Sequence, residues 1–406
     1  MPMKNRFRHT IAASFIGYVV QAILNNFAPL LFLTFHTSYG ISLDKIALLV
    51  TANFGLQLLI DWLASHFIDK IGYRIPLVVA HVCAALGLAG LTFLPELLPN
   101  AYAGLVISVM TYAIGGGLIE VLVSPLVEAC PTTRKKAVMG LLHSFYCWGS
   151  VFVILASTGF FVCFGIENWK VLSLLWAVIP LCNAFYCAFV PIRTMEEAAG
   201  SMKPGQLMKM KRFWVLVLFM ICAGACEQSI SQWASAFAES GLGVTKAVGD
   251  LAGPCAFAVL MGATRVVYAK WSERISIRTV LLCSGLLCIV SYLLAALSPL
   301  PILGLVGCAL CGVAVGVLWP GTFSMAAEEI RGGGTAMFAL MALAGDVGCM
   351  AGPALVGFVS EAAGNRLEIG ILAALIFPVV LVLALALHRE GKGNAQPCSP
   401  GAKVIQ

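Results

Sequence analysis

Charge is what this chain has least of. Only 11% of its 406 residues are Asp, Glu, Lys or Arg, less than half the roughly 25% of a soluble domain. With 60% hydrophobic residues, a water-soluble fold is excluded. Reaction chemistry is also missing from the sequence. There is no nucleophile–base pair, no metal-ligand cluster and no Walker loop to cradle a nucleotide. An enzyme and an ATP-driven pump are therefore both unexpected, and so are a cofactor and a nucleic-acid partner. Cysteine is not scarce, at 15. Most of it, including Cys83, Cys147, Cys222, Cys283 and Cys308, lies inside apolar runs and reads as small packing residues rather than a disulfide framework. The Cys308-x-x-Cys311 pair has no second pair and no nearby His, as a metal or redox site would need.

What the chain does have is long apolar runs. About 20 residues of helix cross the roughly 30 Å of bilayer hydrocarbon. Twelve runs qualify, at about 11–35, 46–68, 75–95, 102–128, 137–163, 169–192, 213–238, 247–271, 279–298, 301–327, 335–360 and 367–387. In lipid they must be helices, because backbone polar groups there find no water. The first run is too long for a cleaved signal core, so it reads as a retained span. An even count puts both termini on one side. Of the 25 lysines and arginines, twenty fall on that side, four (Lys45, Lys170, Lys246 and Arg366) on the other, and Arg265 inside a span. Positive residues mark cytoplasmic loops, so both termini are expected inside the cell, in an inner (plasma) membrane. The one long polar connection divides the chain. It gives residues 1–192 and 213–388 as two six-helix bundles, 193–212 as a linker and 389–406 as a disordered tail.

A charged hairpin occurs in both halves. Asp69-Lys70-Ile71-Gly72-Tyr73-Arg74 returns as Glu273-Arg274-Ile275-Ser276-Ile277-Arg278, 204 positions later (69 to 273). Repeated halves in a membrane protein point to a transporter with its site between them. The hairpins, on the positive side, are read as loops of a cytoplasmic gate.

Several spans carry polar stripes, and intramembrane polar groups are functional candidates by default. Asn53, Gln57, Asp61 and Ser65, spaced by four, share one face of span two. That face lines a cavity or binds a neighbouring helix. Tyr112, Gly116, Glu120 and Ser124 do the same in span four. Glu120 is deep enough to load and release a proton as the site alternates between compartments, or else is a hydrogen-bonded structural acid. Tyr18, Gln21, Asn25 and Asn26 in span one are neutral donors and acceptors suited to hydroxyl-rich ligands. His143, Tyr146 and Ser150 lie on one side of span five, with His143 either a ligand contact or a packing residue. Span seven brings Glu227, Gln228, Ser231, Gln232 and Trp233 close to mid-membrane, and span ten brings Trp319, an aromatic face for sugar stacking or for packing. Arg265 needs a carboxylate partner, which Asp346 or Glu227 could supply.

These features resemble the major facilitator superfamily. Its hairpin after the second span reads G-x-x-x-D-[RK]-x-G-x-[RK], and is similar to Ser65-x-x-x-Asp69-Lys70-x-Gly72-Tyr73-Arg74 here, with Ser in the leading Gly position. Within it, Gly117-Leu118-Ile119-Glu120 leading to Ser124-Pro125, His143-Ser144-Phe145 with Gly149, and Glu227 six residues before Trp233 are similar to the fucose-permease-like branch of sugar–proton symporters. That resemblance implies an all-α fold of two pseudo-symmetric six-helix bundles and gives Glu120 the proton-linked role. Where the branch has Asp in span one, this chain has Asn25-Asn26, leaving Asp61 and Glu227 as further proton-coupling candidates. The expected function is monomeric secondary transport of a sugar or polyol by proton symport. Efflux of an amphipathic compound is the alternative within transport, although span four lacks the Arg typical of drug exporters. A solute sensor on a transporter fold is the alternative outside it.

Overall fold

The computed structural model describes residues 3–130, 135–192, 202, 204–271, 275–330 and 333–388. Every regular element among them is helical. Twelve helical stretches are long and apolar enough to cross a bilayer. They are α1 (Phe7–Tyr39), α2 (Leu43–Ile60), α3 (Arg74–Leu97), α4 (Ala101–Val127), α5 (Ser144–Phe164) and α6 (Ile166–Phe189) in the first half. The second half has α7 (Lys211–Gly241), α8 (Lys246–Tyr268), α9 (Ile277–Leu297), α10 (Pro301–Glu329), α11 (Met337–Ala362) and α12 (Leu367–Leu387). Outward-facing apolar side chains such as Phe185, Phe189 and Leu387 are exposed, as a lipid-facing belt requires. The expected linker is not featureless: a short helix, Pro204–Leu207, lies against α11, with Leu207 buried.

The packing repeats. In the first half α3 packs on α4 and α6, α2 on α4, and α1 on α4, α5 and α6. Each pair recurs six helices later: α9 on α10 and α12, α8 on α10, and α7 on α10, α11 and α12. Across the halves, α2 meets α11, α5 meets α8 and α1 meets α7. The same shift exchanges the first two of these pairs and returns the third to itself, so the contacts obey a pseudo-two-fold relation.

Small residues allow the closest crossings, since van der Waals fit rather than water exclusion drives helix association in lipid. A Cβ on Gly348 of α11 would run into the carbonyl oxygen of Ile221 in α7. Proline shapes the helix that reaches furthest between the halves. α1 is α-helical to Asn26, passes through a 3-10 turn at Ala28–Leu31, and resumes as Phe32–Tyr39. Pro29 has no N–H, so the carbonyl of Asn25, four residues earlier, is left without its helical donor. Gln232 of α7 supplies one, its Nε2 donating to Asn25 O at 3.1 Å.

The close α7–α11 crossing sets a stability test. Gly348→Ala is expected to cost about 1–3 kcal/mol through backbone displacement and to lower the unfolding temperature in detergent. Gly159→Ala is the control, since a Cβ there meets nothing within 4 Å.

Candidate functional site

A cavity of about 160 Å³ lies at the meeting of the two halves. The first half lines it with Tyr18, Gln21 and Asn25 from α1, Phe54 from α2, Glu120 from α4 and Tyr146 from α5. The second half faces these with Glu227 and Gln228 from α7, Arg265 from α8, Trp319 from α10, and Asp346 with Cys349 from α11. Gln21 and Asn25 of span one and Glu120 of span four thus share one wall.

A network of amides joins that wall. Gln21 Nε2 donates to Gln57 Oε1 at 3.1 Å and reaches Glu120 Oε2 at 3.4 Å. Gln57 Nε2 donates to Asn53 Oδ1 at 3.0 Å and reaches Asn25 Oδ1 at 3.5 Å. Asn25 Nδ2 reaches the Tyr146 hydroxyl at 3.5 Å, and Tyr18 shares a 3.0 Å hydrogen bond with Ser124. Gly116 and Gly117 make room for this network, because a Cβ on either would press on Gln57. Opposite, Gln228 Oε1 accepts from Ser231 and from Gln232. The wall thus offers uncharged amide and hydroxyl donors and acceptors held by one another.

Arg265 stands in the charged part of the cavity. Its Nη2 lies 3.6 Å from Glu227 Oε2, so of the two partners expected for it the structure brings up Glu227. Asp346 sits in the wall of the same cavity.

Other expected site residues sit elsewhere. Trp233 is fully buried, donates from Nε1 to Pro353 O at 3.0 Å and packs on Phe32. It cements α7 to α1 and α11 instead of facing the cavity, because its ring lies on the inter-helix side of α7. Asn53, Tyr112 and Gln232 line a separate void of about 20 Å³, and Asn26 donates to Ser150 at 3.0 Å beside another small void. Gln57 is buried within the amide network. The side chains of Asp61, Asp69, Lys70 and His143, and residues Glu273 and Arg274, lie outside the described residues.

The hairpin arginines each tie two helices of one half. Arg74 donates to the carbonyls of Ala188 and of Val190, the latter at 3.0 Å, at the end of α6. Arg278 donates to Leu385 O at 3.0 Å and Ala386 O at 3.3 Å at the end of α12. Each is a cation on the C-terminal carbonyls of a helix in its own half, a favourable placement in the field of the helix dipole. Gly72 takes φ +81°, the left-handed turn that lets the chain reverse before Arg74. Described in this state, the hairpin arginines are staples within each bundle.

The contacts that close the halves lie at the opposite end. Lys246, expected in a loop, is the first residue of α8 and points into the protein. Its Nζ donates to Leu30 O at 2.6 Å across the halves and stands 3.1 Å from Glu239 and 3.3 Å from Asp250. Asp250 is buried and also accepts from Ser235 at 2.5 Å and from Thr158 of α5 at 3.3 Å. Nearby, the backbone N–H of Leu43 donates to Glu361 at 2.9 Å, joining α2 to α11. The sequence held one signal of this cluster, Lys and Asp four apart at the start of a span. Among the described residues no group of His, Cys, Asp and Glu is placed to hold a metal ion.

The sequence model described as Major Facilitator Superfamily matches residues 10–264 and 251–399. The chain belongs to the major facilitator superfamily. Two solved structures share its fold. One is a bacterial homologue of the human lysosomal transporter Spinster, in an inward-facing and occupied conformation. It has a TM-score of 0.74 at 14% identity, covering 95% of this chain and 97% of that one. The other is the Escherichia coli fucose:proton symporter, with a TM-score of 0.62 at 18% identity, covering 92% of this chain and 97% of that one. No curated protein matches the chain. The superfamily assignment makes the protein a multi-pass membrane transporter, with its cavity where the two halves meet.

The lysine cluster sets a second test. Lys246→Met removes the cation from between two carboxyls, an expected loss of about 3–5 kcal/mol for breaking a buried pair. The unfolding temperature should fall, and a spin-label distance across this end should lengthen. Lys246→Arg should keep most of both.

Proposed function

We propose that the protein is a proton-coupled symporter for a small polar solute, a sugar or polyol, working by alternating access. The observation that carries this reading is the placement of Glu120. Its carboxyl lines the cavity, hydrogen-bonded to Gln21 within the wall of neutral amides and hydroxyls. One group can thus answer to a proton and to the solute beside it. A hydroxyl-rich ligand finds donors and acceptors on both halves and Trp319 as a flat apolar face, so binding draws the halves together.

Residues 1–192 and 213–388 are then the two rocking bundles, with the positive-rich loops and both termini in the cytoplasm of a cell whose plasma membrane holds the monomer. In that orientation the Lys246 cluster closes the outer end, and the cavity faces inward. Entry of solute from outside requires the bonds to Leu30, Thr158 and Glu361 to part while the hairpin ends come together. The partners are the solute, a proton and the bilayer.

Purified protein in proteoliposomes, given a panel of hexoses and polyols, should accumulate a member of the panel only under an inward-directed proton gradient. Glu120→Gln should lower gradient-driven accumulation by about 100-fold or more, the scale of losing a positioned proton carrier, while leaving exchange of solute across the membrane measurable. Accumulation without a gradient, or an unaltered Glu120→Gln protein, would overturn the reading.

A further inference from the structure

Arg265 is supplied with the wrong acceptors for the job of a purely structural cation. A guanidinium offers five N–H donors in a planar fork that suits two oxygen atoms of one carboxylate. Here Nη1 donates to the thiol sulfur of Cys147 at 3.2 Å and Nη2 to the thioether of Met261 at 3.7 Å. Both sulfurs are weak acceptors. Nε is buried and meets no acceptor at all. Glu227, at 3.6 Å, compensates the charge but stands well beyond the roughly 2.7–2.9 Å of a charge-assisted hydrogen bond. Arg265 lines the cavity, and its side chain keeps about a quarter of its surface, 24%, accessible. Its strongest hydrogen-bonding positions are therefore unfilled in the state described.

We infer that Arg265 reads a carboxylate on the solute, so that the transported sugar or polyol is an acid of the uronate or aldonate class. This rests on the symport reading above and narrows its substrate. The remaining wall fits the rest of such a molecule: Gln21, Asn25, Gln228 and Tyr146 face its hydroxyls, and Trp319 its ring or carbon chain. One carboxylate matches the site better than a phosphate ester. Among the described residues Arg265 is the single cation in the cavity wall, while Glu120, Glu227 and Asp346 bring three carboxyls to it, so a second negative charge on the ligand would face acids without a cation of its own. The same count explains why an acid would travel with a proton. Solute carboxylate and Glu227 share one guanidinium, and a proton on Glu120 lowers the negative charge that the anion meets in the cavity. The Arg265–Cys147 contact crosses between the halves, so filling the fork also changes a bond between the bundles.

Binding in detergent, measured by calorimetry on the full-length protein, tests this apart from any gradient. The ligands are matched sets of hexoses, hexuronates, aldonates and hexosamines. The expected result is that an acid binds at least about tenfold more tightly than its neutral parent, a difference carried by one charge-assisted bidentate contact. Arg265→Gln should bring the acid-to-neutral affinity ratio to within about threefold of one, a ratio that general damage to the fold would not move. The double variant E227Q/R265Q removes both charges, avoids an unpaired buried acid, and should give the same ratio. Arg265→Lys should restore part of the preference.

Tighter binding of the neutral sugar or the hexosamine, an acid preference that survives Arg265→Gln, or no binding by any ligand of the panel would overturn the inference. Arg265-dependent acid binding without gradient-driven uptake would instead overturn the symport reading alone. Gradient-driven uptake of a neutral sugar with no acid preference would overturn the inference alone.

Discussion

Two backbone carbonyls of α1 hold the present arrangement of the halves. A helix in lipid satisfies its own hydrogen bonds and has nothing left over to offer a neighbour. Pro29 and the 3-10 turn around it suspend that rule for a few residues, and Asn25 O and Leu30 O become acceptors in search of donors. Both donors come from the second half, one from Gln232 and one from Lys246. These bonds are directional and sit beside apolar contact between Phe32 and Trp233. They fix α1 against α7 and α8 at the end away from the hairpins, and the cavity is the space left on the other side. Lys246 could not serve this role alone. Its charge is tolerable there because Glu239 and Asp250 flank it, and Asp250 in turn needs Ser235 and Thr158. The closure is one connected polar unit drawing on α1, α5, α7 and α8, whose loss at any member leaves a buried group unsatisfied.

The fold was legible in the sequence because the bilayer imposes it. Length and apolarity of a span are local properties, and the lipid-facing residues need only be hydrophobic. The meeting of polar stripes from α1, α2 and α4 was legible for a similar reason: the spacing of Gln21 and Asn25, of Asn53 and Gln57, and of Gly116 and Glu120 puts each set on one helical face whatever the tertiary structure. That Arg265 would have a carboxylate near it followed from the cost of a lone buried charge, and Glu227 is there. What could not be read was any role set by the position of a distant helix end. Arg74 looks like a loop cation until the carbonyls closing α6 are seen beside it. Trp233 shares the helix with Gln228 and Glu227 but points to another side, and only the packing of α11 decides that this side is closed. Lys246 reads as a loop residue in sequence because its charge outweighs the apolar run that follows.

The two hairpins agree more deeply than their letters do. Matching Arg74 with Arg278 by position is a statement about sequence, whereas the ends of α6 and α12 are where the repetition acts. Both arginines tie the entrance of the third helix of a half to the exit of its sixth. Each half is thereby fastened at the end away from the Lys246 cluster. A bundle so tied can move as one body. The diverged positions, Glu120 and Gln21 on one side and Arg265 with Glu227 on the other, are the ones that face the cavity, so duplication supplies the frame and asymmetry the chemistry.

The helices α2 and α11 belong to helical runs of 29 residues each, about 43 Å from end to end at 1.5 Å per residue. They touch near mid-length, where the sulfur of Met350 lies over Gly55, and again at the closed end, where Leu43 meets Glu361. The pair is then a lever with its fulcrum about 18 Å from the closed end and about 24 Å from the other. A tilt of about 10° slides the surfaces little at the glycine but parts the near end by about 3 Å and swings the far end by about 4 Å. The first figure is the length of one hydrogen bond. A bare backbone at the fulcrum lets the pair pivot, and the Leu43 N–H and the packing of Gly357 on Ala47 at the near end are within the reach of that small tilt, with no helix needing to unwind.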